Sequence, residues 1–306
     1  MKLLLSKPRG FCAGVERAIE SVKKSIEMFG APIYVKHEIV HNKAVVDELR
    51  ALGAVFIEEI EDVPVGAKLI YSAHGVSPAV RAQAKERQLS EIDATCGLVT
   101  RVHSAVKRFA GLGYQVILIG HRNHVEVIGT AGEAPDVTTI VETVVDVENL
   151  TFSKDDKLFY ITQTTLSLDD VKEITDALIQ KYPQIQTLPS SSICYATTNR
   201  QMALRSITDE THLVLVVGDP QSSNSNRLRE VAANRGVPAY LINNATEIRQ
   251  EWLENVGVIG LTAGASTPEN LVQDCIQKLI HMGVKEVEDV IFTTEDVVFQ
   301  LPKPIL

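Results

Sequence analysis

AKLIYSAHGVSPAVRAQAKE, residues 67–86, decides how this chain is read. An apolar run ends in a small polar loop, and Ser77 with Pro78 then opens a stretch whose apolar spacing is helical. The same order of strand, polar loop, Ser or Ser-Thr cap and amphipathic helix returns in DKLFYITQTTLSLDDVKEITDAL (156–178) and VGVIGLTAGASTPENLVQDCIQKL (256–279). Upstream of each lies a second apolar run with a polar end: PIYVKHEIVHN (32–42), YQVILIGHRNHVE (114–126) and HLVLVVGDPQSSNSN (212–226). Strands that alternate with helices imply parallel sheets with right-handed crossovers, and such sheets carry their functional loops at the carboxyl ends of the strands.

Cysteine placement follows the same repeat. Cys12, Cys96 and Cys194 lie in RGFCAGVERAI, DATCGLVTRVH and SSICYATTNRQ, each where a strand or loop gives way to a helix-like stretch. A cysteine there meets the positive end of the helix dipole, which favours the thiolate. From Cys12 to His41, Cys96 to His124 and Cys194 to Ser222 the separations are 29, 28 and 28 positions. Cys275, inside the helical run ENLVQDCIQKLI, has no such setting and reads as a core residue. No pair has the CxxC spacing of a zinc site.

Three thiolates leave a 4Fe-4S cube one protein ligand short, so one iron is open to substrate. The expected fold is therefore α/β: three similar small parallel-sheet domains in pseudo-threefold arrangement around a central iron-sulfur cluster. The expected divisions are 1–96 with an N-terminal strand, 97–193, 194–283, and a tail at 284–306 whose segment VVFQL (297–301) forms a closing strand.

The polar loops carry His41, His74, His124, Glu126, Thr164, Thr165, Ser222, Ser223, Asn224 and Ser266. Neutral donors and histidines dominate and Lys and Arg are scarce, a set suited to a small, highly charged anion such as a diphosphate held at helix N-termini. Each hydroxyl taken singly is also an ordinary helix cap. His121, His124 and Glu126 have a spacing that suits zinc, but H-E-x-x-H is absent and zinc would leave the cysteines without a task. Glu126, flanked by a histidine and apolar residues, is the candidate acid, because a carboxyl in a dry pocket holds its proton nearer neutrality. His103, His212 and His281 lie outside the repeated loops and read as structural. An open iron, an anion site and a proton donor together indicate reductive removal of oxygen from a small phosphorylated alcohol.

Composition agrees. The chain has 306 residues, 45% hydrophobic with one Trp, the profile of an α/β enzyme, and a net charge of -9 that argues against nucleic acid as a partner. MKLLLSKPRGFC breaks its apolar run early, so no signal peptide is expected, and no stretch is long enough to cross a bilayer. Sparse cysteines then suggest a reducing, cytoplasmic setting.

Eight motifs in order, PRGFCAGVERAI, SAHGVS, DATCGLVT, GHRNHVEVIGT, QTTLS, ICYATTNRQ, SSNSNRL and TAGAS, resemble the LytB/IspH family of 4-hydroxy-3-methylbut-2-enyl diphosphate reductases from Met1 to the tail. The resemblance implies one 4Fe-4S cluster on Cys12, Cys96 and Cys194 with one open iron. It implies a diphosphate site at His41, His74, His124, Ser222, Ser223, Asn224 and Ser266. Glu126 falls on the family's proton-relay acid, and Thr164 on the threonine that positions the substrate hydroxyl. The implied reaction takes two electrons and two protons, loses water and gives isopentenyl and dimethylallyl diphosphates, with ferredoxin or flavodoxin as electron donor. The family pattern has Pro where this chain has Gly97 and Val125. A non-catalytic phosphometabolite or iron sensor using the same pocket is the alternative, and a hydrolytic zinc enzyme a third; no helix-turn-helix or regulatory appendage supports the sensor.

Overall fold

The computed structural model describes residues 1–306. Before the second cysteine lie β1 (Lys2–Lys7), α1 (Ala13–Phe29), β2 (Ile33–Lys36), α2 (Lys43–Leu52), β3 (Ala54–Ile57), β4 (Lys68–Tyr71), α3 (Pro78–Glu86) and β5 (Ser90–Asp93). Then come α4 (Gly97–Gly111), β6 (Gln115–Ile119), α5 (Val125–Ala131), β7 (Thr138–Val141), α6 (Val144–Glu148), β8 (Leu158–Thr162) and α7 (Leu168–Lys181). After the third cysteine follow α8 (Tyr195–Thr208), β9 (Leu213–Val217), α9 (Ser223–Ala233), β10 (Ala239–Ile242), β11 (Val258–Ala263), α10 (Glu269–His281) and β12 (Glu286–Ile291).

The strands form three sheets, ordered β3-β2-β4-β5, β7-β6-β8 and β10-β9-β11-β1-β12. Every strand pairing is parallel. The architecture is thus α/β with three parallel sheets. The repeat is visible in their order: β2, β6 and β9 are each flanked by the next strand in sequence on one side and, on the other, by β4, β8 or β11, the strand that precedes the capped helix. All five residues of β9, LVLVV, are buried, because helices cover both faces of a parallel sheet and leave no polar side to alternate with.

Residue contacts divide the chain into two compact units. One comprises Met1–Val15, His41–Val45 and Tyr195–Val298 and holds the five-stranded sheet. Leu3, Leu215, Leu261, Val272 and Leu279 centre one layer of its core, and Leu4, Leu204, Val216 and Leu228 the layer on the other face. The other comprises Glu16–Val40, Val46–Cys194 and Phe299–Leu306 and holds the two smaller sheets. Its apolar clusters gather around Leu69 and Tyr71, around Ile117 and Leu158, and around Val116 and Phe159.

Two sequence expectations are corrected at the chain ends. The N-terminal strand, expected with residues 1–96, pairs instead with β11 and β12, with Leu3 opposite Ile259 and Val287. The reason is edge occupancy. In the four-stranded sheet the open side of β4 is taken by β5, with Leu69 opposite Glu91. In the three-stranded sheet Gln186 bridges to Phe159 beside β8. After β11 the chain passes into α10 and returns only at β12, so β1 fills the equivalent place. In all three cases the segment in that place runs on into a cysteine. The second correction concerns VVFQL, which forms no strand; the strand of the tail is β12. The carbonyl of Gln300 accepts from Arg17 Nε at 2.7 Å, and prolines at 302 and 304 have no N–H to offer a ladder. β12 is instead an edge strand rich in carboxylates, with Glu288 2.6 Å from Lys2 and Asp289 2.7 Å from Lys7, charges that discourage further strands from adding.

Leu3 is fully buried while Val298 is 87% exposed. Leu3→Ala is expected to cost about 2–5 kcal/mol of unfolding free energy, against less than about 0.5 kcal/mol for Val298→Ala, measured by denaturant titration. Equal costs would contradict the assignment of the strands.

Candidate active site

Each of the three cysteines sits directly before a helix: Cys12 before α1, Cys96 as the N-cap of α4, and Cys194 before α8. Each also makes the same backbone bond. The Cys96 N–H donates to the Ala73 carbonyl (3.0 Å), the Cys194 N–H to that of Thr164 (3.0 Å), and the Cys12 N–H to that of Ala265 (3.3 Å). Ala73, Thr164 and Ala265 are all in the polar loops that follow β4, β8 and β11. A local peptide contact therefore joins every cysteine to a candidate substrate loop. No disulfide engages them, and all three are partly accessible. Cys275 is buried, and loss of water pushes its thiol up to about 12, which keeps it protonated.

In the unit that holds the smaller sheets, His124 caps α5, its Nδ1 accepting from the Glu126 N–H at 3.2 Å. The His74 ring meets the His124 ring edge-on, with centroids 5.9 Å apart, and Ser72 Oγ lies 3.2 Å from His74 Nδ1. Glu126 is only 2% exposed. Its Oε1 accepts from the Thr164 N–H at 2.7 Å, and its Oε2 lies 2.9 Å from Thr164 Oγ1. Burial raises the Glu126 pKa, the two Thr164 bonds and the charge of nearby His103 work against it, and burial wins. The hydroxyl donates to the ionised acid and can receive a proton from the neutral one, so this pair has the geometry of a relay.

The unit built on the five-stranded sheet gathers His41, Ser222, Ser223, Asn224 and Ser266. Ser266 Oγ donates to the His41 carbonyl (2.9 Å) and lies 3.5 Å from Ser222 Oγ. Ser222 caps α9, and Ser223 is its first residue. Asn224 Oδ1 accepts from the Ala265 N–H at 2.9 Å while its Nδ2 donates to Thr197 Oγ1 at 3.3 Å. Sequence reasoning stopped at Asn224 and missed Ser225, whose hydroxyl lies 3.0 Å from Ser222 Oγ. A Cβ at Gly218 or Gly264 would overlap that hydroxyl, so a glycine directly after each of β9 and β11 lets it in. This second-glycine signal was present in the sequence beside both loops. The N-terminus of α9 and the hydroxyls around it bring together a backbone dipole and neutral donors, a combination that suits an anion.

Spacing that suited zinc is not gathered in space. His121 stands 3.9 Å from Glu142, whereas Glu126 is committed to Thr164. No three His, Cys, Asp or Glu side chains form a site for a single metal ion. Each of Cys12, Cys96 and Cys194 stands at a helix N-terminus, a setting that favours the thiolate a metal binds.

The family model described as LytB protein matches residues 3–280. The chain belongs to the LytB family. Among relatives, the 4-hydroxy-3-methylbut-2-enyl diphosphate reductase of Protochlamydia amoebophila is 78% identical over 100% of this chain and 98% of its own. That of Chlamydia pneumoniae is 63% identical over 99% of this chain and 98% of its own. Among solved structures, the E-1-hydroxy-2-methyl-but-2-enyl-4-diphosphate reductase of Plasmodium falciparum superposes with a TM-score of 0.97 at 49% identity, covering 100% of this chain and 96% of that one. A second structure, described as the terminal enzyme of the non-mevalonate pathway, has a TM-score of 0.65 at 29% identity, covering 92% of this chain and 99% of that one.

Both departures from the LytB pattern are absorbed locally. α5 starts at Val125 with His124 as its cap, so the first turn holding Glu126 is set by a hydrogen bond where proline would have set it by its ring. At Gly97 the Phe299 ring packs 3.4 Å from where a Cβ would stand, so a ring of the C-terminal segment covers the first turn of α4.

The raised pKa of Glu126 has a sign. Its neutral form stabilises the folded state fully below the ordinary carboxyl value of 4.5, and that contribution is lost as pH rises through the raised value. The melting temperature of the native chain is expected to fall relative to Glu126→Gln as pH rises from 4.5 through the raised value. A constant difference would show that Glu126 titrates as a surface carboxylate.

Proposed function

We propose that this LytB chain reduces 4-hydroxy-3-methylbut-2-enyl diphosphate to isopentenyl and dimethylallyl diphosphates through one 4Fe-4S cluster held by Cys12, Cys96 and Cys194, its fourth iron open to substrate. The observation that carries the reading is the continuous link from Glu126 through the Thr164 hydroxyl and carbonyl to the N–H of Cys194. It joins a buried, proton-holding acid to a cluster cysteine through a single residue.

The cluster, when bound, would relay the donor's electrons one at a time and offer a Lewis-acidic iron for the substrate hydroxyl. The chain supplies the rest. His41, Ser222, Ser223, Asn224 and Ser266 bind the diphosphate with the N-terminus of α9, and His74 and His124 add imidazole donors. Glu126 keeps its proton in a site closed to bulk water and releases it across 2.9 Å through Thr164 to the departing hydroxyl, which leaves as water. Ferredoxin or flavodoxin donates the electrons. A cytoplasmic, reducing setting is supported by four cysteines without a disulfide, and no helix is long and apolar enough to cross a membrane.

Anaerobically purified protein is expected to be brown, to lose its colour and iron in each of Cys12→Ser, Cys96→Ser and Cys194→Ser, and to keep both in Cys275→Ser. Colourless protein with stoichiometric zinc would refute the reading. Glu126→Gln is expected to lower kcat by about 10²–10⁴-fold with little change in substrate affinity; an equal loss in both would make Glu126 a binding residue. A sensor would bind the diphosphate but fail a single turnover with dithionite and a dye mediator.

A further inference from the structure

Every helix that follows a cysteine carries an arginine at nearly the same distance: Arg17 five positions after Cys12, Arg101 five after Cys96, and Arg200 six after Cys194. None of the three guanidiniums serves the loop of its own cysteine. Arg17 donates from Nη1 to the Thr95 carbonyl (3.0 Å) and from Nη2 to that of Asp93 (3.2 Å), in the approach to Cys96. Arg101 Nη2 donates to the Ser191 carbonyl at 2.6 Å, in the approach to Cys194. Arg200 donates from Nε and Nη2 to the Gly10 carbonyl (3.1 and 2.8 Å) and from Nη2 to that of Phe11 (3.1 Å), in the approach to Cys12.

Two of these contacts close on a single peptide group. The carbonyl of Thr95 accepts from Arg17, and the N–H of that same peptide, which belongs to Cys96, donates to Ala73. Likewise the Phe11 carbonyl accepts from Arg200 while the Cys12 N–H donates to Ala265. A peptide plane held at both its oxygen and its nitrogen cannot rotate, and its rotation would swing the cysteine side chain. The Asp93 carboxylate tightens the first of these loops further, accepting from the Thr95 N–H (3.0 Å) and from Arg81 (2.6 Å). Arg200 is fully buried, where a cation persists only with its donors satisfied; Ala196 O at 3.0 Å and Glu295 at 3.1 Å complete its set. The guanidinium presents its donors in a fixed plane from several nitrogens, a set that the single nitrogen of lysine would not reproduce in full.

We propose that Arg17, Arg101 and Arg200 are positioning residues for the cluster cysteines, acting in a cycle: Arg17 on Cys96, Arg101 on Cys194 and Arg200 on Cys12. This rests on the reading of those cysteines as cluster ligands, and it adds a crosswise rule. Removing one arginine loosens the cysteine of the following segment and leaves its own in place.

The test is anaerobic alkylation of the iron-loaded holoenzyme with iodoacetamide, each cysteine being followed separately by peptide mass spectrometry. In the native protein Cys12, Cys96 and Cys194 are expected to be protected until iron is removed by a chelator; labelling of all three without chelation would overturn the cluster reading itself. In Arg17→Met, labelling of Cys96 is expected to rise roughly 10-fold over Cys12 and Cys194, from loss of charge-assisted hydrogen bonds. In Arg101→Met the rise is expected at Cys194, and in Arg200→Met at Cys12. Buried Cys275 reports global unfolding. Where it becomes labelled, as a buried charge makes plausible for Arg200→Met, the Arg200→Lys and Arg17→Lys variants take over, with intermediate rates at Cys12 and Cys96 expected. With the native protein protected, faster labelling at the variant's own cysteine, an equal rise at all three, or no change would overturn the assignment of the arginines.

Discussion

The backbone bond from each cysteine N–H to a carbonyl of the neighbouring polar loop is the constraint on which the site depends. It recurs at Ala73, Thr164 and Ala265. Because it is made by main chain, it survives changes of side chain at the loop, which is why an alanine, a threonine and an alanine can occupy equivalent places. It couples two positions that could have drifted apart, that of the cysteine and that of the polar loop beside it. Parallel strands make the coupling possible, since they bring the ends of adjacent strands and the start of the next helix to the same edge of a sheet.

The three sheets solve one packing problem in different lengths. Each needs a strand or bridge on the open side of its last apolar run, and the chain uses β5, the single residue Gln186 and β1 for it. The shortest answer, a bridge of one residue, is also held by Tyr160 N–H to Gln186 O at 2.8 Å and Gln186 N–H to Leu158 O at 2.9 Å. The site tolerates this variety because what matters is where the chain leaves the sheet toward the cysteine.

Much of this was legible in the sequence. The repeat of apolar run, polar loop and cap predicted parallel sheets, and cysteine-to-loop separations of 29, 28 and 28 positions predicted equivalent settings. Glu126 was legible because an acid flanked by apolar residues and a histidine is conspicuous in a loop of neutral donors. The membership of β1 was not, since LLLS pairs equally well with any open edge and sequence proximity favours the nearer sheet. VVFQL misled for a related reason: β-branched and aromatic residues suit a strand, but the Arg17 side chain and the prolines that follow take the backbone groups a ladder needs. The arginines escaped notice because a cation on a helix ordinarily reads as solvated surface, and only the loop it reaches, nearly eighty positions away for Arg17 and Thr95, reveals otherwise.

The place of β1 also orders events in time. Its partners are β11 and β12, and the loop that fixes Cys12 follows β11, so the first of the three cysteines synthesised is the last to find its setting. Cys96 and Cys194 are held by loops already made when they leave the ribosome. Cys12 must wait for a carbonyl at residue 265. On the proposed ligand set, all three cysteines are in their settings only once the long-range pairing that slows folding has been made.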